Sequence, residues 1–173
     1  MILSFIFLLG ICLIIIGYSY IFKSLLSNFK KDQGILIFNS DFIYGVFFLS
    51  LISIFLNFFI PLSKASYLIS FIGFTCFIYI YLKKIVKINI FSLGLIIFFL
   101  IFVSHTNGVA YDSMFYHLQI IKLNSIYKSI FGISHLEVRY GMNSSWHSLI
   151  SLFDISYKEF KLLYIFNLAF FAF

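Results

Sequence analysis

The sequence predicts an all-α integral membrane protein with four to six transmembrane helices and one long outer loop that carries juxtamembrane amphipathic helices. Three observations lead to this fold class. First, the 173-residue chain is 62% hydrophobic and only 10% charged, whereas soluble domains hold about 25% charged residues. Second, its uncharged apolar runs approach or reach the length of about 20 residues that a membrane-spanning helix needs. Third, most of its lysines lie between those runs.

The same composition excludes other classes. High hydrophobicity excludes an intrinsically disordered chain. The net charge of +6 does not indicate a nucleic-acid partner, because the lysines flank apolar runs and do not form a patch. The two cysteines, Cys12 and Cys76, lie inside apolar runs. We expect buried structural thiols there, and neither a disulfide framework nor a zinc site.

Five apolar runs are assigned to membrane spans. Four are complete: Ile2–Phe22, Phe42–Ser63, Ala65–Leu82 and Ile88–Ser104. A fifth begins at Leu162 and is still apolar at Phe173, so we expect the chain to be a fragment of a longer protein. The first run is interpreted as a retained anchor, because no Lys or Arg precedes it and it is longer than a secretory h-region. The predicted organisation is a four-span bundle over 1–104, an extracytoplasmic loop over 105–161 and the start of a further helix over 162–173.

The lysines predict that the N-terminus lies outside. Six lysines fall between spans one and two or between spans three and four, and one, Lys64, falls between spans two and three. Loops rich in Lys and Arg stay in the cytoplasm. Residues from about position 105 onward should therefore lie on the outer face. The spans themselves contain no Asp, Glu, His, Lys or Arg, which argues against an ion-coupled transporter.

The outer loop holds four of the six acids and all four histidines, so any chemistry is expected there. Its first helix is predicted over Asp112–Ser129, because two stripes at helical spacing run along it. One stripe consists of Met114, Leu118, Ile121 and Ser125, and the other of Asp112, Tyr116 and Gln119. Gly132 is expected to end it. The helix is interpreted as amphipathic, with its apolar side in lipid.

A second helix is predicted within Gly141–Phe153, with Ser144 or Ser145 as its cap. Its uninterrupted apolar content is too short to span the bilayer, which indicates a juxtamembrane or re-entrant helix. The alternative is a short fifth span, which would place Lys158 and Lys161 in the cytoplasm.

The candidate functional residues have two interpretations each. Asp112 could act as a general base towards an acceptor hydroxyl or hold a divalent ion near a lipid phosphate, or it could cap the helix. His117 lies about 140° around the helix from Asp112, so the spacing does not favour a dyad between them. His117 could contact a phosphate or relay a proton, or it could be a hydrogen-bonded interface residue. The guanidinium of Arg139 could bind a phosphate. Alternatively, the side chain extends along the apolar region so that its charged end lies at the membrane interface. His147 and Trp146 are assigned to the interfacial aromatic belt.

Two segments resemble a group of poorly characterised bacterial multi-pass proteins. The first runs from Tyr111 to Gln119 and reads Tyr-Asp-Ser-Met-Phe-Tyr-His-Leu-Gln; the second runs from Arg139 to Trp146 and reads Arg-Tyr-Gly-Met-Asn-Ser-Ser-Trp. More loosely, the arrangement is similar to the GT-C membrane glycosyltransferases. In that superfamily the first outer loop begins with an Asp just past a span and then enters a juxtamembrane helix. The sequence departs from that plan in two respects, because three further spans precede the loop and Ser113 stands where a second acid is frequent.

The resemblance implies a cell-envelope enzyme of the bacterial inner membrane that transfers a sugar from a polyprenyl-phosphate carrier to an acceptor outside the cytoplasm. It implies that Asp112 is the catalytic carboxylate and that Arg139 faces the lipid phosphate. The remaining residues implied to bind substrate are Tyr116, His117, Gln119 and Asn143. The alternative is a non-enzymatic membrane subunit of polysaccharide assembly, or an accessory or scaffold protein, whose outer loop binds a partner.

Overall fold

The computed structural model describes residues 2–27, 38–85, 117–135, 138–141 and 144–153, together with a few positions between 91 and 102. Within these ranges the chain forms helices joined by short turns and contains no strand. The three long helices are α1 (Ile2–Ser27), α2 (Phe38–Phe59) and α3 (Leu62–Leu82).

These three helices are long and apolar enough to cross a bilayer, over the windows Phe5–Leu26, Phe42–Phe59 and Leu62–Leu82. The first three predicted spans are therefore confirmed as helices. In the part of the chain that the structure describes, the protein has the all-helical architecture of an α-helical membrane protein. For the fourth predicted span, the described positions are helical: Phe91, Gly94, Leu95, Ile97, Phe98 and Phe102. The fifth predicted span lies outside the described residues.

The helix boundaries differ from the predicted ones at three places, and the first is the start of α2, which lies at Phe38 and not at the predicted Phe42. α1 continues past Phe22 to Ser27 and so takes in Lys23, whose ammonium lies 5.5 Å from the centre of the Tyr44 ring. The break between α2 and α3 falls at Ile60 and Pro61, and Lys64 belongs to the first turn of α3. The three helices thus carry charged residues only near their ends, with Lys23 in α1, Asp41 in α2 and Lys64 in α3. Long lysine side chains at such positions can reach the membrane interface.

The chain divides into two compact units. The first contains α1, α2 as far as Leu49 and α3 from Leu68 onward. The second contains the stretch from Ser50 to Tyr67 and the described residues from 117 to 153.

In the first unit the helices approach closely at glycines. A Cβ atom on Gly17 would collide with the backbone carbonyl of Gly73, and a Cβ on Gly45 would collide with the carbonyl of Ile15. Such small residues let membrane helices pack backbone to backbone. The hydroxyl of Tyr18 donates to the backbone oxygen of Ile69 at 3.0 Å, which ties α1 to α3.

In the second unit two short helices follow the spans: α4 (Leu118–Ile126) and α5 (Ser145–Leu152). Two 3₁₀ turns, Ile133–His135 and Val138–Gly141, lie between them. α4 ends at Ile126, because Tyr127 is extended, so the prediction of a helix reaching Ser129 is wrong by three residues. Gly132 does not end the helix; it adopts a left-handed conformation (φ 78°) and its carbonyl accepts from the amide of His135.

The apolar side of α4 is covered by protein. Leu118, Ile121 and Ser125 are all buried, as are Ile120 and Asn124. The predicted stripe is therefore confirmed for these first three residues, whereas Met114 lies outside the described residues. The expectation that the stripe faces lipid is wrong.

Candidate functional site

α4 and α5 pack against each other in parallel. His117, which precedes α4, contacts His147 in the first turn of α5, and the hydroxyl of Ser151 donates to the backbone oxygen of Ile121 at 2.9 Å. Both contacts join residues 30 positions apart, so the helices run in the same direction with their N-terminal ends together. α5 has eight residues and a length of about 12 Å. This helix is too short to cross a bilayer, which speaks against the alternative of a short span here.

Local sequence explains why α5 begins where it does. Ser144 is extended, and its side-chain oxygen accepts a hydrogen bond from the amide of His147 at 3.3 Å. This is the cap that the sequence predicts, with Ser144 and not Ser145 as the residue. The cap fixes the first turn of the helix that carries His147.

The centre of the candidate site is a histidine pair. Nδ1 of His117 lies 2.8 Å from Nε2 of His147, and the ring centroids are 4.9 Å apart. This separation is that of a hydrogen bond, in which one nitrogen carries the hydrogen and the other accepts it. His117 is half-buried, whereas His147 is only 6% exposed. The second ring nitrogen of His147, Nδ1, is buried and has no hydrogen-bond partner among the described residues.

Burial and a neighbouring ring both act on His147. Burial lowers the pKa of His147 below its ordinary 6.5, and the charge that His117 would carry lowers that pKa further. Its position in the first turn of α5 acts in the same direction, because a helix N-terminus carries partial positive charge. His147 is therefore neutral at physiological pH and can accept or pass on a proton.

The pair does not form a metal centre by itself. No group of three or more His, Cys, Asp or Glu side chains that could hold a metal ion occurs within the described ranges. In a tetrahedral zinc site with bonds of about 2.0–2.1 Å, two ligating nitrogens lie about 3.3 Å apart. The observed separation of 2.8 Å fits a shared hydrogen better.

A cavity of about 250 Å³ lies beside α4 in the same unit. Its lining combines apolar side chains such as Leu123 and Ile133 with Asn124, Lys128 and Tyr140. This mixed lining suits an amphipathic ligand.

The structure places some of the predicted site residues and not others. Gln119 is exposed on α4, and Arg139 is exposed in the 3₁₀ turn that begins at Val138. Neither belongs to the histidine pair. Asp112, Tyr116 and Asn143 lie outside the described residues.

His147 is the functional candidate that sequence reasoning missed. Its assignment to the interfacial aromatic belt is wrong, because the side chain is buried within the protein and its ring contacts that of His117. One signal was available: His147 and Ser151 are spaced i, i+4, and so share one face of a helix. Nothing local in the sequence indicates that His117 lies opposite that face.

The fold and the site together define a helical membrane protein with several candidate spans, in which two short parallel helices meet at a histidine pair. A family model described as "Domain of unknown function (DUF8201)" matches residues 1–173. The chain belongs to this family. No curated protein and no solved structure matches it.

Proposed function

We propose that the protein is a GT-C-like membrane glycosyltransferase of the bacterial inner membrane, which transfers a sugar from a polyprenyl-phosphate carrier during cell-envelope glycan synthesis. In this proposal the N-terminus and the 105–161 segment lie on the outer face. The bilayer and the lipid-linked sugar donor are the two partners.

One observation carries the proposal: the contact between His117 and His147. His117 belongs to the first sequence element on which the resemblance depends, and His147 directly follows Trp146, the last residue of the second element. The hydrogen bond between them brings a residue of the first element into contact with the residue that directly follows the second element. Segments that are far apart in sequence but contribute polar side chains to one location are what a substrate site requires.

The proposed roles follow from the chemistry of each group. Asp112 takes the proton from the acceptor hydroxyl or holds a divalent ion near the lipid phosphate. His147, which is neutral and buried, orients His117 by accepting or donating the shared hydrogen. The other residues proposed to line the site are Tyr116, Gln119, Arg139 and Asn143.

The test is the substitution Asp112→Asn in the natural protein, produced in a strain that lacks its own copy. Envelope glycans are then compared by mass spectrometry. We expect loss of the transferred sugar, because the amide cannot act as a base, while the amount of protein in the membrane stays unchanged. The matched control is Asp32→Asn, which removes an acid from the predicted cytoplasmic loop and should leave the glycans intact.

A second pair of variants tests the histidines. His117→Ala should reduce transfer strongly, whereas His135→Ala, which removes an exposed histidine of the same unit, should not. Unchanged glycans in the Asp112→Asn strain would contradict the proposal that the protein is a glycosyltransferase. The alternative of a non-enzymatic subunit would then stand.

A further inference from the structure

The segment that follows α4, residues 127–134, contacts the end of α2. The amide of Ser129 donates to the backbone oxygen of Asn57 at 2.7 Å. The ring of Phe131 stacks on that of Phe58, with centroids 6.2 Å apart and planes 26° apart. These contacts fix the segment at one level along α2.

That level is the edge of the hydrocarbon core. The apolar window of α2 is Phe42–Phe59, 18 residues long, which corresponds to about 27 Å of helix. A bilayer's hydrocarbon core is about 30 Å thick. Asn57 and Phe58 are near the end of this window, so a segment attached to them lies where the acyl chains give way to headgroups.

The exposed side chains of the segment are of the kinds found at that depth. Phe131 is 85% exposed and Val138, in the 3₁₀ turn that follows, is 73% exposed. Tyr127 and Lys128 are exposed at its start. Tyrosine and lysine anchor proteins at the membrane interface, with the ring or the alkyl stem in the apolar zone and the polar end in the headgroups.

We propose that residues 127–134, with Val138, form a membrane-anchoring segment at the interface. This segment inserts Phe131 into the bilayer, so that lipid covers the exposed ring of Phe131. The apolar side of α4 cannot serve this purpose because protein already covers it. Continuity with the span α2 selects lipid as the occupant over a soluble partner. This inference does not depend on sugar transfer.

The experiment uses Phe131→Trp in a Trp146→Phe background, which leaves one tryptophan. The full chain is reconstituted in phosphatidylcholine vesicles with and without bromine on the acyl chains. We expect brominated lipid to quench the tryptophan introduced at position 131 several-fold more strongly than iodide in the water does. Because Phe131 is largely exposed, the larger ring is accommodated without repacking and can still stack on Phe58.

The matched control is Gln119→Trp in the same background, since Gln119 is exposed on α4. We expect iodide to quench this tryptophan more than it quenches the one at position 131. If iodide quenches both equally and brominated lipid quenches neither, position 131 lies in water and the proposal fails. If neither quencher reaches position 131, protein covers it, and the proposal fails as well.

Discussion

Nδ1 of His117 and Nε2 of His147 lie 2.8 Å apart, at the joined N-terminal ends of two parallel helices. A contact of this length needs one ring nitrogen with a hydrogen and one without. When both rings are protonated, each nitrogen carries a hydrogen and both rings are positive, so the contact becomes repulsive. The α4–α5 pair should therefore be sensitive to acid.

Acidification should destabilise the second unit through His147. The unfolded chain binds a proton at this residue near the ordinary pKa of 6.5, whereas the folded protein has a lower pKa. As pH falls below about 6.5, the unfolded chain binds a proton that the folded protein does not. The contribution of His147 to the free energy of unfolding is therefore fully present above that pH. It is lost as the pH falls from there to the pKa that His147 has in the folded protein. Thermal unfolding followed by the emission of Trp146, between about pH 7.5 and about pH 5, measures this loss.

The variant His147→Gln separates titration from the loss of the contact. Glutamine places an amide near the position of Nε2 but does not titrate, so we expect a cost of about 1 kcal/mol at neutral pH and a weaker pH dependence than in the wild type. His135→Gln removes an exposed histidine of the same unit and should retain the full pH dependence. An equally steep pH dependence in His147→Gln would show that another group titrates.

A buried amide pair joins α2 to α4, and its loss should weaken the second unit. Nδ2 of Asn57 donates to Oδ1 of Asn124 at 3.1 Å, and the two side chains are 1% and 8% exposed. Asn57→Ala removes this hydrogen bond between two buried side chains. We therefore expect the free energy of unfolding to fall by about 1–3 kcal/mol. Unfolding in mixed micelles of detergent and sodium dodecyl sulfate measures it.

A double-mutant cycle gives the contribution of the pair itself. Asn57→Ala with Asn124→Ala should cost less than the sum of the two single variants, with a coupling of about 0.5–2 kcal/mol. Additive costs would mean that the two amides do not interact in the bilayer. Ser53→Ala is a suitable control, because Ser53 is also buried in α2 but donates only to the backbone of its own helix, at Ser50.

Local patterns in the sequence predict those parts of the fold that depend on local chemistry. The first three spans follow from apolar length, and the start of α5 follows from the capping chemistry of Ser144. The end of α4 does not follow from such a pattern. Its chain leaves the helix at Tyr127, and two residues later the amide of Ser129 reaches Asn57. That contact joins segments far apart in sequence, and local propensity does not encode it.

In the candidate site, too, local sequence predicts one part and tertiary contacts determine the other. His117 is a candidate from the sequence because it stands in a recognisable element, but its partner is 30 residues away. Only the parallel packing of α4 and α5 brings the two rings together. The burial that makes His147 chemically useful is likewise a tertiary property, which explains why an interfacial role was the natural interpretation of that residue.

Close packing of α1 on α3 should make Gly17 intolerant of a methyl group. Gly17→Ala places Cβ against the backbone carbonyl of Gly73, and backbone cannot move aside as a side chain can. We expect a loss of about 1–3 kcal/mol in micelle unfolding. Gly10→Ala lies in the same helix with nothing within 4 Å of the added atom, so it should be neutral or slightly stabilising. Equal effects of the two substitutions would contradict the close approach.

The orientation of the protein decides whether the proposed site can meet an acceptor outside the cytoplasm, and a single cysteine at position 113 tests it. The background carries Cys12→Ala and Cys76→Ala, which remove the two native thiols. The lysines predict that the loops between spans one and two and between spans three and four are cytoplasmic. On that prediction, Ser113→Cys in intact cells should react with a membrane-impermeant maleimide. Lys83→Cys, which follows α3 and is exposed, should react only after the membrane is permeabilised. The reverse pattern would place Asp112 in the cytoplasm, where the proposed acceptor is absent, and the proposed enzyme would have to be abandoned.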